Sequence, residues 1–199
     1  MKVVATVALS NFKYWKMCME KLRTQVDEIY VRVDATKENK YEELMDSKLA
    51  DYVMKSNVEW NRWNWRNEML RMVDNVGADI VLVPDHDEIY QDTIKSELVE
   101  FYNSGKKMMM FDFITMTNDN RIIPELNGKP YPSLAHCSGF RWMEGLTYFP
   151  YCGLAMPTNY ANIPDARFHA KTKIEHYCMY DRELEAEKKL WVLKEYGCF

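Results

Sequence analysis

The chain has 199 residues, 28% of them charged, and carries 30 acidic against 26 basic side chains for a formal net charge of -4. That length supports one domain with a sizeable core. The acidic balance excludes a global basic field for holding a polyanion, although a local patch such as Lys171 and Lys173 remains open. Five cysteines, at 18, 137, 152, 178 and 198, form no CxxC pair; their odd number and the lack of an apolar leader argue against a secreted disulfide framework and for a reducing cytoplasm.

Residues 2 to 9, KVVATVAL, predict a first strand. The segment NFKYWKMCMEKLR follows with Tyr14, Trp15, Cys18, Met19 and Leu22 at helical spacing, capped by Ser10 or Asn11. DEIYVRVDA, residues 27 to 35, predicts a second strand, since Ile29, Val31 and Val33 alternate before Asp34 closes the run. Strand, helix, strand is a parallel crossover unit. A helical segment near 40 to 50 leads to a short strand, DYVMK. Next comes a helix with Trp65, Met69, Met72, Val73 and Val76 on one face and Gly77 at its stop.

Ile80-Val81-Leu82-Val83 is a short, β-branched run that reads as a strand covered on both faces. Pro84 ends it, and the acids of DHDE follow at once. A helix is expected from about 93 to 104, ended by Asn103-Ser104-Gly105, then a strand from about 107 to 115. The apolar run MMMFDFITM within that stretch is too short to span a membrane and contains Asp112. From 116 to 180 prolines, glycines and aromatics replace periodicity, so short strands and loops are expected to lie over the sheet. Asp181 opens a last helix that Gly197 closes. The pattern is α/β, a mostly parallel central sheet flanked by helices.

Ligands of open α/β sheets bind outside the carboxyl ends of strands, where DHDE sits. Asp85 and Asp87, two apart on an extended turn, offer hard oxygen ligands on one side, which suits Mg²⁺ or Mn²⁺ with phosphate oxygens completing the shell. The alternative is that Glu88 or Asp92 caps the next helix.

The first strand, the Asp ending the second, the Arg66-Asn67 pair opening a helix and G-A-D-I-V-L-x-x-D-x-D-E together resemble the GT-A nucleotide-sugar glycosyltransferases, closest to the family 2 group, over roughly residues 2 to 115. The resemblance implies a Rossmann-like GT-A fold on residues 1–199, with a nucleotide-sugar-binding half at 1–115 and an acceptor-side half at 116–199. It implies a metal-dependent transfer, most simply inverting, from a nucleotide diphosphate sugar, a UDP-sugar being favoured. By the same resemblance the Val7 to Phe12 loop, with Ser10, is expected to wrap the nucleotide, Asp34 to meet the base or ribose, Arg66 and Asn67 to face the donor, Asp85 to lie near ribose and metal, and Asp87 to ligate the metal. His176, before the last helix, matches the late third ligand better than His136 or His169.

No late Glu-Asp pair supplies the catalytic base. Glu144 and Asp165 are the available acids, each also placed to pair with Arg141 or Arg167. The acceptor is open: a saccharide, a protein, a small molecule, or a modified DNA base, which the acidic charge disfavours. Trp60 and Trp63 offer a sugar-stacking platform or cover the helix start, while Trp65 reads as core. A metal-dependent phosphohydrolase and a non-catalytic sugar-nucleotide-binding module are the competing readings. A zinc site from His136, Cys137, Cys152, His176 and Cys178 fits no standard spacing.

Overall fold

The computed structural model of the chain describes residues 1–9, 14–35, 41–57, 62–116, 125–126, 129–130, 136–148, 158–161, 163 and 165–177. Alternation of apolar strands with amphipathic helices builds the first half. The elements are β1 (Val3–Leu9), α1 (Trp15–Arg23), β2 (Glu28–Asp34), α2 (Tyr41–Ser47), β3 (Tyr52–Ser56), α3 (Arg62–Val73) and β4 (Ile80–Leu82). β1 pairs in parallel with β2 and β4, and β2 with β3, as crossover connections require.

α1 buries Trp15, Cys18, Met19 and Leu22. Each side chain of this size stabilises the fold by roughly 1.5–3 kcal/mol when fully removed from water. The helix begins after Tyr14, the cap position, which makes no side-chain cap bond; Ser10 and Asn11 lie outside the described residues. α3 buries Trp65, Met69, Leu70 and Val73. It ends at Val73, and a tighter turn in which Val76 N–H reaches Val73 C=O leads to Gly77 at φ +70°, the left-handed conformation that glycine adopts freely.

After β4 come β5 (Glu88–Tyr90), α4 (Ile94–Ser104) and β6 (Met108–Thr115), then a small hairpin of β7 (Glu125–Leu126) and β8 (Lys129–Pro130). β9 (His136–Arg141), α5 (Thr158–Ala161) and β10 (Arg167–His176) complete the described elements. Gly105, at φ +75°, ends α4 where the sequence places the stop.

The main sheet has eight strands in the order β3-β2-β1-β4-β9-β6-β10-β5. Residues 116 to 180 therefore do not merely lie over the sheet. β9 enters its centre, antiparallel to both β4 and β6, and β10 runs parallel to β6 with β5 antiparallel at its edge. The sequence of β9, HCSGFR, hides this role because it lacks β-branched residues. What the central position requires is small side chains: a Cβ on Gly139 would stand 2.9 Å from Leu82 Cδ2 and 3.3 Å from Met109 Cβ.

One face of the sheet packs on α1, Leu44 of α2 and α4 through Val7, Leu9, Val31 and Phe111. The other packs on α3 through Val4, Val81, Met110 and Phe140. This is the mixed α/β, Rossmann-like GT-A architecture. Among the described residues no helix is long and apolar enough to cross a membrane.

Candidate functional site

The acids of the sheet divide between its two ends. At the amino ends of the parallel strands they close backbone edges: Asp79 accepts Lys2 N–H at 2.6 Å, Asp27 accepts Val3 N–H at 2.7 Å, and Asp51 accepts Ile29 N–H at 2.7 Å. These carboxylates are structural.

At the carboxyl ends stand Asp34, closing β2 opposite Ser56 of β3, and the DHDE turn beyond β4. Asp85 bridges to Ala8 of β1. The turn is closed twice: Glu88 N–H donates to Asp85 C=O at 3.1 Å, and Asp85 N–H donates to Glu88 Oε2 at 3.0 Å. Glu88 is only 4% exposed. Burial, followed by the neighbouring Asp85 and Asp87, pushes its carboxyl well above the usual carboxylate range, against the opposing pull of the Asp85 backbone and Arg66. Glu88 thus locks the turn from beneath. Neither Glu88 nor Asp92 caps α4: the cap position is Thr93, whose side chain makes no capping hydrogen bond, and Asp92 pairs with Lys21.

β5 then pairs with β10 so that His176 falls opposite Glu88. Tyr177 N–H donates to Asp87 C=O at 2.8 Å. His176 Nε2 lies 3.6 Å from Asp87 Oδ2, and its ring packs against Phe113 at 5.4 Å between centroids. Arg66, buried on α3, reaches Asp85 Oδ1 through Nη2 at 3.5 Å. Burial disfavours its charge, but Asp85, Tyr148 and Glu88 outweigh that and raise its pKa.

Asp85, Asp87, Glu88, His176 and Arg66 are therefore brought together, with Asp34 at the same end of the sheet. Asn67 is engaged differently: its carboxamide donates to Tyr148 C=O at 3.0 Å and accepts Tyr148 N–H at 2.7 Å, tying that segment to α3. Ser10 and Phe12 of the nucleotide-wrapping loop, Trp60, and the last helix from Asp181 lie outside the described residues.

The two acids available as bases stand at the end of the sheet opposite Asp85. Arg141 pairs with Ile80, Trp142 N–H bonds Asp79 C=O, and Glu144 follows in an exposed turn beside Arg71 and Asp74, beyond the amino end of β4. Asp165, exposed at φ +58°, precedes the amino end of β10 and pairs with Lys106 at 2.5 Å. Because β9 reverses direction and β10 does not, both acids are carried to the end opposite Asp85.

The zinc reading also loses support. Among the described residues no group of three or more His, Cys, Asp or Glu side chains converges on a metal position. Burial pushes the Cys137 thiol up to about 12, and Sγ donates to Gly139 C=O at 3.6 Å. Cys152 and Cys178 lie outside the described residues.

Two contributions were missed from the sequence. Tyr90, which is 1% exposed, donates through its hydroxyl to Ser138 C=O at 3.2 Å, and Val83 N–H reaches the same carbonyl at 2.8 Å. Together they fasten both sides of the DHDE turn to β9. The E-I-Y alternation was the available signal. Arg32, 0% exposed, stacks 4.2 Å over Trp65 and donates to Glu68 at 2.7 Å, while Ser56 Oγ bonds the same carboxylate. That long-range cluster confirms Trp65 as core and has no local signature.

No family model matches the chain, and no curated protein does. Among solved structures it is similar to HddC from Yersinia pseudotuberculosis, with TM-score 0.51 and 9% identity over 96% of this chain and 100% of that one. It is also similar to S. aureus TarS 1-349 in complex with UDP-GlcNAc, with TM-score 0.50 and 16% identity over 66% of this chain and 37% of that one. A 4-diphosphocytidyl-2C-methyl-D-erythritol synthase gives TM-score 0.50 and 12% identity over 71% and 74% of the two chains. The chain matches little more than a third of the TarS fragment's length. At these identities the likeness defines the fold, the Rossmann-like GT-A class.

Proposed function

We propose that the protein is a metal-dependent glycosyltransferase that moves a sugar from a UDP-sugar to an acceptor hydroxyl. The observation that carries this reading is the turn at the carboxyl end of the sheet on which Asp87 faces His176 at 3.6 Å while Asp85 faces the buried Arg66 guanidinium at 3.5 Å. A carboxylate and an imidazole, Asp87 and His176, are ligands that Mn²⁺ or Mg²⁺ accepts, with the phosphate oxygens of a donor to complete the shell. Arg66 Nη1 is buried and has no hydrogen-bond partner among the described residues, a donor that an anionic ligand at Asp85 would satisfy.

In this reading Asp87 and His176 would hold the cation, Asp85 pairs with Arg66, and Glu88 keeps the turn in shape. The cation, when bound, supplies Lewis-acid stabilisation of the diphosphate that leaves the sugar. Asp34 is assigned to the ribose or base. That the similar TarS structure holds UDP-GlcNAc supports UDP as the nucleotide to try first.

A shared fold is compatible with nucleotidyl transfer as well as sugar transfer. Incubation with a panel of UDP-sugars and Mn²⁺, scoring UDP release, and in parallel with sugar phosphates and nucleoside triphosphates, scoring pyrophosphate, separates the two. UDP release that requires metal and is lost in Asp87→Ala is the expected result. Pyrophosphate release without UDP release would replace glycosyl transfer with nucleotidyl transfer.

A further inference from the structure

β10 does not run evenly along β6. Arg167, Phe168 and His169 pair with Met108, Met109 and Met110, and pairing resumes at Lys173 opposite Asp112 to end at His176 opposite Thr115. Seven steps of β10, from His169 to His176, thus cover five steps of β6, from Met110 to Thr115. Two residues are extruded as a bulge. In even pairing Ile174 would stand level with Thr115, and His176 would lie two rungs farther along, roughly 7 Å away. Because two residues make one full side-chain period, the bulge moves His176 along the strand without turning it to the other face.

The bulge is held from α4. Glu97, only 5% exposed, accepts Lys171 N–H at 2.7 Å with Oε1 and Thr172 N–H at 2.9 Å with Oε2. Thr93 Oγ1 meets Thr172 Oγ1 at 2.7 Å, and Gln91 Oε1 accepts Lys173 N–H at 3.2 Å. Amide donors displaced from a ladder are costly to leave unmade inside a protein, and a carboxylate accepting two of them is a strong partner. Glutamate is otherwise disfavoured on the buried face of a helix such as this one.

We propose that Glu97 is a positioning residue: by binding the bulge of β10 it fixes the register that sets His176 beside Asp87. The inference rests on reading Asp87 and His176 as the residues that hold the metal. Glu97 touches neither of them and acts through the strand.

The test is Mn²⁺ binding to the full chain, read from the free-ion signal in electron paramagnetic resonance, alone and with UDP. Wild type, Glu97→Ala, Glu97→Gln and Leu98→Ala are compared, with thermal midpoints measured alongside. Leu98 is a buried neighbour on α4 whose side chain makes no hydrogen bond, so its truncation reports simple destabilisation. Glu97→Ala is expected to weaken Mn²⁺ binding by about tenfold or more, the scale of lost support behind a metal ligand. Glu97→Gln, which keeps one acceptor oxygen, should weaken it less and decides the matter if the alanine variant does not fold. Leu98→Ala should lower the midpoint and leave Mn²⁺ binding unchanged. Wild-type affinity in both Glu97 variants, or an equal loss in Leu98→Ala, overturns the positioning role and leaves the metal reading standing. Absence of Mn²⁺ binding by the wild type overturns the metal reading and this inference with it.

Discussion

Asp87 and Glu88 are adjacent acids with different tasks. Asp87 is turned toward His176, whereas Glu88 is buried and accepts the Asp85 amide. Removing a buried acceptor strands its donor at a cost of about 1–3 kcal/mol, so Glu88→Ala should lose that much stability in urea unfolding while Glu88→Gln, which retains an acceptor, stays close to wild type. Cys137 gives a pH dependence. Burial raises its thiol to about 12 in the folded chain, above the ordinary value of about 8.5 in the unfolded one. The unfolded state therefore loses this proton first, and stability should fall as pH rises from about 8.5 toward 12. Cys137→Ala should flatten that part of the profile, as measured by unfolding at stepped pH. At this scale the placing of Asp85 and Asp87 just beyond β4 was legible because the strand and its stop are local. The end of the sheet at which Glu144 and Asp165 stand was not legible, because it depends on strand direction, which two residues and their neighbours do not encode.

Among the elements, β1, β2, β4 and the buried face of α3 could be read from apolar spacing, since each owes its place to burial. β9 could not. Its place between β4 and β6 depends on what it lacks, and a Cβ at Gly139 would crowd Leu82 and Met109. Gly139→Val should therefore destabilise the protein by about 1–3 kcal/mol through overpacking, seen as a lower urea midpoint at unchanged slope. β10 was legible in principle. Arg167, His169, Lys171 and Lys173 lie toward solvent while Thr172 and Ile174 are buried, an alternation masked by the density of charge.

Across the whole molecule, the sheet works as a sorter. Its amino end uses acids to close the backbone, and its carboxyl end gathers Asp34, Asp85, Asp87 and His176 from separate strands and a turn. The placing of Asp34 and Asp85 at one end follows from the parallel crossovers that the sequence displays; the arrival of His176 needs β10, whose route only the folded chain reveals. The functional reading turns on metal-dependent binding of a nucleotide at that end. Thermal unfolding with UDP, with and without Mn²⁺, for wild type, Asp87→Ala and Glu144→Ala tests it head-on. A ligand at a hundredfold excess over its Kd stabilises the folded state by about 2.7 kcal/mol. The midpoint of wild type and Glu144→Ala is expected to rise only when Mn²⁺ and UDP are both present, and that of Asp87→Ala not to rise at all. A rise that survives Asp87→Ala, or no rise in the wild type under any condition, would contradict metal-dependent nucleotide binding at this site.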